Sequence, residues 1–307
     1  MRNIPRYHES DTMDGDSQLL ADFEAHLRQS GLARNTVLGY AHDMRGFLAW
    51  LETHESPTAT PTDFTSQDVE TFKQHLQVNL GRSPASINRT MQSMRKFGRF
   101  ALQSGLRDSD PAQEVSLVGQ PNKPVPRVLG DDEVATLLEA ASRCRPHTSH
   151  RDTAILRVLL ETGIRVGELV NLRVGDVNLT DPEPTLTIRR QRKRPARTMP
   201  LGDATQGSLA RYLESTGPRR DQPSHLFLSR TGRPLSIRSV QEILTRLGEE
   251  AGLEVSAMTL RDTYAVALWQ ATGDIGMLTE RLGNARPETA LRYVFSPTNR
   301  NKTIATG

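Results

Sequence analysis

Four short stretches of the chain hold residue types suited to chemistry on a polyanion. The densest is Leu186–Arg197, which carries Arg189, Arg190, Arg192, Lys193, Arg194 and Arg197 and no acid. Cations crowded around a turn repel one another unless a polyanion lies opposite. The stretch is therefore either a solvated surface hairpin or one that reaches a phosphate backbone. In Thr162–Gly163–Ile164–Arg165–Val166–Gly167–Glu168–Leu169, Gly163 ends one helix and Arg165 stands at the start of the next. A guanidinium held there suits two-pronged phosphate binding, or else an ordinary salt bridge to Glu168 or Glu161. Met258–Thr259–Leu260–Arg261–Asp262–Thr263–Tyr264 reads as a helix capped by Thr259. Arg261 then sits near its N-terminus, free for an anion or paired with Asp262 or Glu254. Finally, Leu282–Gly283–Asn284 is followed by a short helix opening at Pro287, with Tyr293 late on it, as a core aromatic or a phenol nucleophile.

Helical periodicity supplies most of what must position these groups. Residues 1–16 are polar and aperiodic and read as a mobile tail. From Ser17, apolar residues at helix spacing predict one helix to Gly31, a second from Asn35 or Thr36, a third capped by Ser66 and a fourth starting at Ser83–Pro84. No strand pattern appears before about residue 117. Gly119–Pro126 holds three prolines, which favours extended chain and predicts a domain boundary. Beyond it the chain reads as helices over 131–142, 151–162 and 166–172, then two strand-like pieces, 186–190 and 197–201, flanking the basic turn. Further helices are expected over 204–213 and 237–251 and after Thr259, Asp274 and Pro287. The prediction is a mainly α chain with a small β-sheet: tail 1–16, a four-helix domain over 17–117, a linker over 118–126 and an α+β domain over 127–307.

Composition narrows the function classes. With 307 residues the chain is long enough for two cores, and with 36% hydrophobic residues it is neither disordered nor membrane-like. No run approaches the roughly 18 apolar residues of a spanning helix. The first residues lack the apolar stretch of a secretory signal, so a cytoplasmic protein is expected. One cysteine, Cys144, leaves no room for an internal disulfide or a multi-cysteine metal site, and no role is assigned to it. The net charge of +3 is small.

Taken together, the four stretches resemble the tyrosine recombinase (phage integrase, Xer-like) family. The likeness extends to the first half, in Leu32–Tyr40, Asp43–Phe47, Ser86–Arg95 and Asp110–Ala112, and to Leu226–Leu235 in the second. The resemblance implies a SAM-like core-binding domain followed by a catalytic domain, clamped on double-stranded DNA. It implies a site-specific recombinase or integrase working as a homo-tetramer on synapsed DNA, alone or with a partner recombinase. Arg165 and Arg261 would clamp the scissile phosphate, and Tyr293 would attack phosphorus to give a 3′-phosphotyrosyl ester. Keeping the bond energy in that ester needs no cofactor and no metal. Arg89, Arg95, Arg189, Arg190, Arg192, Arg194 and Arg197 are the expected DNA contacts. A hairpin lysine would protonate the leaving 5′-oxygen. Counting back from Met199–Pro200–Leu201 places Arg192 at that position, but Lys193 is the only lysine there and gives up a proton far more readily. Two departures stand out: Met258 and Asn284 occupy places where the family usually has histidine, or histidine or tryptophan. A thioether donates no hydrogen bond, whereas an amide does. These departures motivate an alternative, a sequence-specific DNA-binding accessory protein with a weakened or vestigial site.

Overall fold

The computed structural model describes residues 12–54, 63–119, 126–144, 146–180, 182–190, 195–216, 225–284 and 287–294. The chain divides into two compact units, Met1–Lys123 and Pro124–Gly307.

In the first unit, α1 (Thr12–Gln29), α2 (Arg34–His54), α3 (Ser66–Val78) and α4 (Pro84–Gln103) enclose an aromatic core. Phe47 anchors it, meeting the ring of Phe64 edge-on at 4.9 Å and that of Phe72 at 5.1 Å. Helix α1 begins at Thr12, so the expected tail is helical over its last residues. Thr65, one residue before the predicted Ser66, caps α3. Its hydroxyl accepts from the Asp68 N–H and Asp68 accepts in return, a reciprocal box. Ser83 caps α4 with Pro84 following, as its sequence predicts. Arg95 donates from α4 to the carbonyls of Ala112 and Val115, and Asn88 exchanges two bonds with Val118. These bonds fasten the segment after α4 back onto that helix.

The second unit is built around α6 (Pro146–Thr162), with α5 (Asp131–Ser142) beside it. Ile155, Leu156, Val158 and Leu159 of α6 are wholly buried in the larger core. The short α7 (Val166–Leu169) precedes an antiparallel sheet of β1 (Val177–Asn178), β2 (Thr185–Ile188) and β3 (Arg197–Pro200), in that order. Leu186 faces Met199, and both are buried. Strand β1 is too short for alternation to show, which is why the sequence yields only two strands. Then come α8 (Asp203–Thr216), α9 (Ile237–Ala251), α10 (Ala257–Thr272) and α11 (Ile275–Arg281), followed by a 3₁₀ turn at Pro287–Thr289 and α12 (Leu291–Val294). Helices α8 and α10 both pack on α6. The cap of α10 is Ser256, not Thr259, which occupies the third helical position and bonds back to it. Arg261 therefore lies a full turn inside the helix, on its buried side. A smaller cluster of Ala265, Val266, Leu278, Leu282, Ala290 and Tyr293 joins α10, α11 and α12.

Candidate active site

Two arginines far apart in the chain meet on one loop. Arg165 caps α7 in extended conformation, and its backbone N–H is held by Glu168 at 2.9 Å. Its Nη1 donates to the carbonyls of Leu282 (3.0 Å) and Gly283 (3.2 Å), and its Nη2 to Asn284 Oδ1 (2.8 Å). Arg261, only 5% exposed, reaches the same atoms from α10. Its Nη2 donates to the Leu282 carbonyl at 2.7 Å and to Asn284 Oδ1 at 3.1 Å, while Nη1 bonds the Gly163 carbonyl. Burial, and next the charge of Arg165, bring the Arg261 guanidinium down to about 10, so it remains a cation at neutral pH. Gly163 takes φ +57°, and a side chain there would strike the Tyr264 ring, so glycine is required on both counts. The Asn284 oxygen is engaged by two guanidinium groups, which leaves its NH₂ as the end able to donate to an anion. A cleft of about 620 Å³ opens beside the pair, lined by Arg165, Arg261, Gln241, Thr245, Ser256 and Met258. Met258 stands at this cleft 53% exposed.

The arginines are braced from below. Glu168 accepts both Nη1 (3.0 Å) and Nη2 (2.8 Å) of Arg197, whose Nε donates to the Arg281 carbonyl at 2.9 Å. Burial works against the Glu168 charge, but Arg197, the Arg165 N–H and the nearby cations together hold its carboxyl below the ordinary value. The brace ties α7, β3 and the turn after α11 into one unit around Arg165.

Tyr293 is near these groups without lining the cleft. It is 3% exposed, and its hydroxyl donates to Asp262 Oδ1 at 2.8 Å. Arg292 Nη2 donates to the other oxygen of Asp262 at 2.7 Å. Burial first, and then the Asp262 charge and hydrogen bond, push the phenol up to about 12.

Comparison with known proteins decides what this arrangement belongs to. Residues 127–300 match the model of the phage integrase family, and residues 20–105 match that family's N-terminal SAM-like domain. The tyrosine recombinase XerD of Oceanobacillus iheyensis is 30% identical over 281 residues, covering 89% of this chain and 92% of that protein. The XerD of Bifidobacterium longum is 31% identical over 296 residues, covering 91% and 93%. The chain belongs to the phage integrase family of tyrosine recombinases, and is of the Xer type. As such it is an enzyme of site-specific recombination that breaks and rejoins DNA. In fold it is similar to a XerH recombinase bound to its difH substrate before cleavage (TM-score 0.73, 16% identity, 96% of this chain and 97% of that one). It is likewise similar to a lambda integrase dimer bound to a core site (TM-score 0.69, 18% identity, 94% and 81%).

Within the recombinase the remaining expected residues separate. Arg192, Lys193 and Arg194 fall outside the described residues. Arg190 is exposed, and Arg189 is half exposed while bonded to Asp176 at 2.6 Å. Arg89 lies half exposed against Asp43 at 2.6 Å. Two of the expected DNA contacts are engaged within the fold. Arg197 is 7% exposed, and its guanidinium is committed to Glu168 and the Arg281 carbonyl. Arg95 is half-buried and spends its donors on the carbonyls of Ala112 and Val115. In the sequence Asp262 enters only as an ion-pair alternative for Arg261, and Arg292 has no assigned role. The only signal there is that Asp262 adjoins Arg261 and Arg292 adjoins Tyr293, and adjacency does not reveal that the two pairs face each other.

Proposed function

We propose that this recombinase exchanges strands of double-stranded DNA through a 3′-phosphotyrosyl ester on Tyr293. Arg165 and Arg261 bind the non-bridging oxygens of the scissile phosphate and stabilise the charge of the pentacoordinate transition state. The Asn284 amide adds a donor, and Lys193, or Arg192 in its place, protonates the leaving 5′-oxygen. The observation that carries this reading is the convergence of both guanidinium groups on the Leu282 carbonyl and Asn284 Oδ1, nine residues before Tyr293. A phosphate entering the cleft meets both cations at once. Residues 17–117 act as the core-binding domain, 118–126 as linker and 127–307 as the catalytic domain. The enzyme works in the cytoplasm, as a homo-tetramer on synapsed DNA or with a partner recombinase. The accessory-protein alternative, which Met258 and Asn284 motivated, is not favoured.

The test is a nicked suicide duplex carrying a sequence selected by binding from a random pool. The wild type should form a covalent protein–DNA adduct, and Tyr293→Phe should abolish it. An undiminished adduct in the phenylalanine variant, or no adduct with the wild type, overturns the reading.

A further inference from the structure

We propose that Asp262 is the proton acceptor for Tyr293, taking the phenol's proton as its oxygen adds to phosphorus and returning it when the strand is rejoined. This assignment rests on the reading of Tyr293 as nucleophile and adds to it the group that activates the phenol.

The geometry is already in place without DNA. Tyr293 Oη and Asp262 Oδ1 lie 2.8 Å apart, within the reach required of a general base. Arg292 fixes the carboxylate through Oδ2 at 2.7 Å, and its guanidinium also stands 5.0 Å from the centre of the Tyr293 ring. One side chain thus orients both partners. Among the described residues, the charged and titratable groups that act on the carboxylate are Arg261 on α10 and Arg292 and Tyr293 on α12. Asp262 directly follows Arg261 on α10, so base and phosphate clamp are anchored on the same turn.

The chemistry requires such a group. A phenol is a weak nucleophile toward a phosphodiester unless its proton is taken as it attacks. With its value near 12, only on the order of one Tyr293 in 10⁵ is ionised at pH 7. Direct transfer to a bonded carboxylate removes the need for a free phenolate. Burial raises the Asp262 carboxyl above its usual range, with Tyr293 and Arg292 pulling the other way, which makes it a stronger base than an exposed aspartate. In the step, the Oη–H bond breaks and an Oδ1–H bond forms. Oη bonds phosphorus, the P–O5′ bond breaks, and O5′ takes its proton from the hairpin acid. Rejoining reverses each of these, with Asp262 protonating the departing Tyr293 oxygen.

The experiment is single-turnover cleavage of the selected nicked duplex by the full chain across pH. Asp262→Asn should bind the duplex with unchanged affinity and form the adduct roughly 10²–10⁴-fold more slowly. Its rate should climb about tenfold per pH unit, because hydroxide replaces the lost base. Asp262→Glu should recover part of the rate. The wild type should level off above the carboxyl's own titration and fall below it. That profile decides the matter even where Asp262→Asn does not fold: a wild-type rate that climbs with pH without levelling overturns the assignment. So does an Asp262→Asn variant that cleaves as fast as the wild type or faster, since the bond then merely stows the phenol. If Tyr293→Phe keeps its adduct, the nucleophile reading fails as well. If Tyr293→Phe loses the adduct and Asp262→Asn is unimpaired, only the Asp262 assignment fails.

Discussion

At the scale of single residues, the site is a set of charges held in place by neutral oxygens and one another. Tyr293 gives the most direct check. Its value near 12 lies above the ordinary 10, so the folded protein holds that proton through a window where the unfolded chain releases it. Stability should be intact below pH 10 and decline as pH rises toward 12. In an absorbance titration of the five tyrosines, Tyr293 should ionise late, and Tyr293→Phe should remove that late component. Tyr264, also raised by burial, should lag with it. Glu168 has the opposite sign. Its lowered carboxyl contributes stability above the normal carboxylate range, and that contribution is lost as the pH falls. Replacing it with glutamine leaves Arg197 buried without its counter-charge and should cost about 3–5 kcal/mol in chemical denaturation. Met258, exposed at the cleft, stands where the family resemblance implies a histidine donor. Met258→His should speed adduct formation by up to about 10²-fold, the scale of one phosphate-facing hydrogen bond, as single-turnover kinetics would show. Arg165, Arg261, Asn284 and Tyr293 could be picked out as candidates because each lies in a short local pattern. The pairs Arg197–Glu168 and Tyr293–Asp262 span 29 and 31 residues, and only the folded chain reveals them.

At the scale of elements, caps and glycines set where the side chains point. The sequence places the cap of α10 at Thr259, because a threonine just ahead of Leu260 is a sound cap and periodicity does not separate it from a serine one turn earlier. The reciprocal bonds of Ser256 with Thr259 settle the choice and bury Arg261 a turn deeper. Ser256→Ala should cost about 1 kcal/mol of stability. Gly283 carries a heavier constraint. Its φ is +55°, and a Cβ there would lie 2.5 Å from Arg197 Nη1. Gly283→Ala should displace the Leu282–Asn284 turn from both arginines, so cleavage should suffer more than melting temperature, with each measured on the same preparation. Helix type and order were readable from apolar spacing. The two-residue strand β1 was not, because two residues carry no period.

At the scale of the whole molecule, two compact units carry separate cores, one aromatic and helical, the other arranged around α6. The change of character after the proline-rich stretch made two units legible in the sequence. Modest net charge did not reveal where DNA binds, because several cations that look free in the sequence serve the fold. Salt titration of DNA affinity separates these roles. Arg189→Ala should lower the slope of log affinity against log salt by about one. Arg95→Ala should leave that slope unchanged and lower stability instead, since its donors hold carbonyls of its own chain. Finally, the turn shared by Arg165 and Arg261 has a thermodynamic consequence. Long side chains normally surrender rotational freedom when an anion arrives, at about 1.5–2 kcal/mol apiece. Here folding itself has already frozen both, so on the proposed reading DNA would meet a rigid receptor, and more of its attraction would be left to act on the reacting phosphorus.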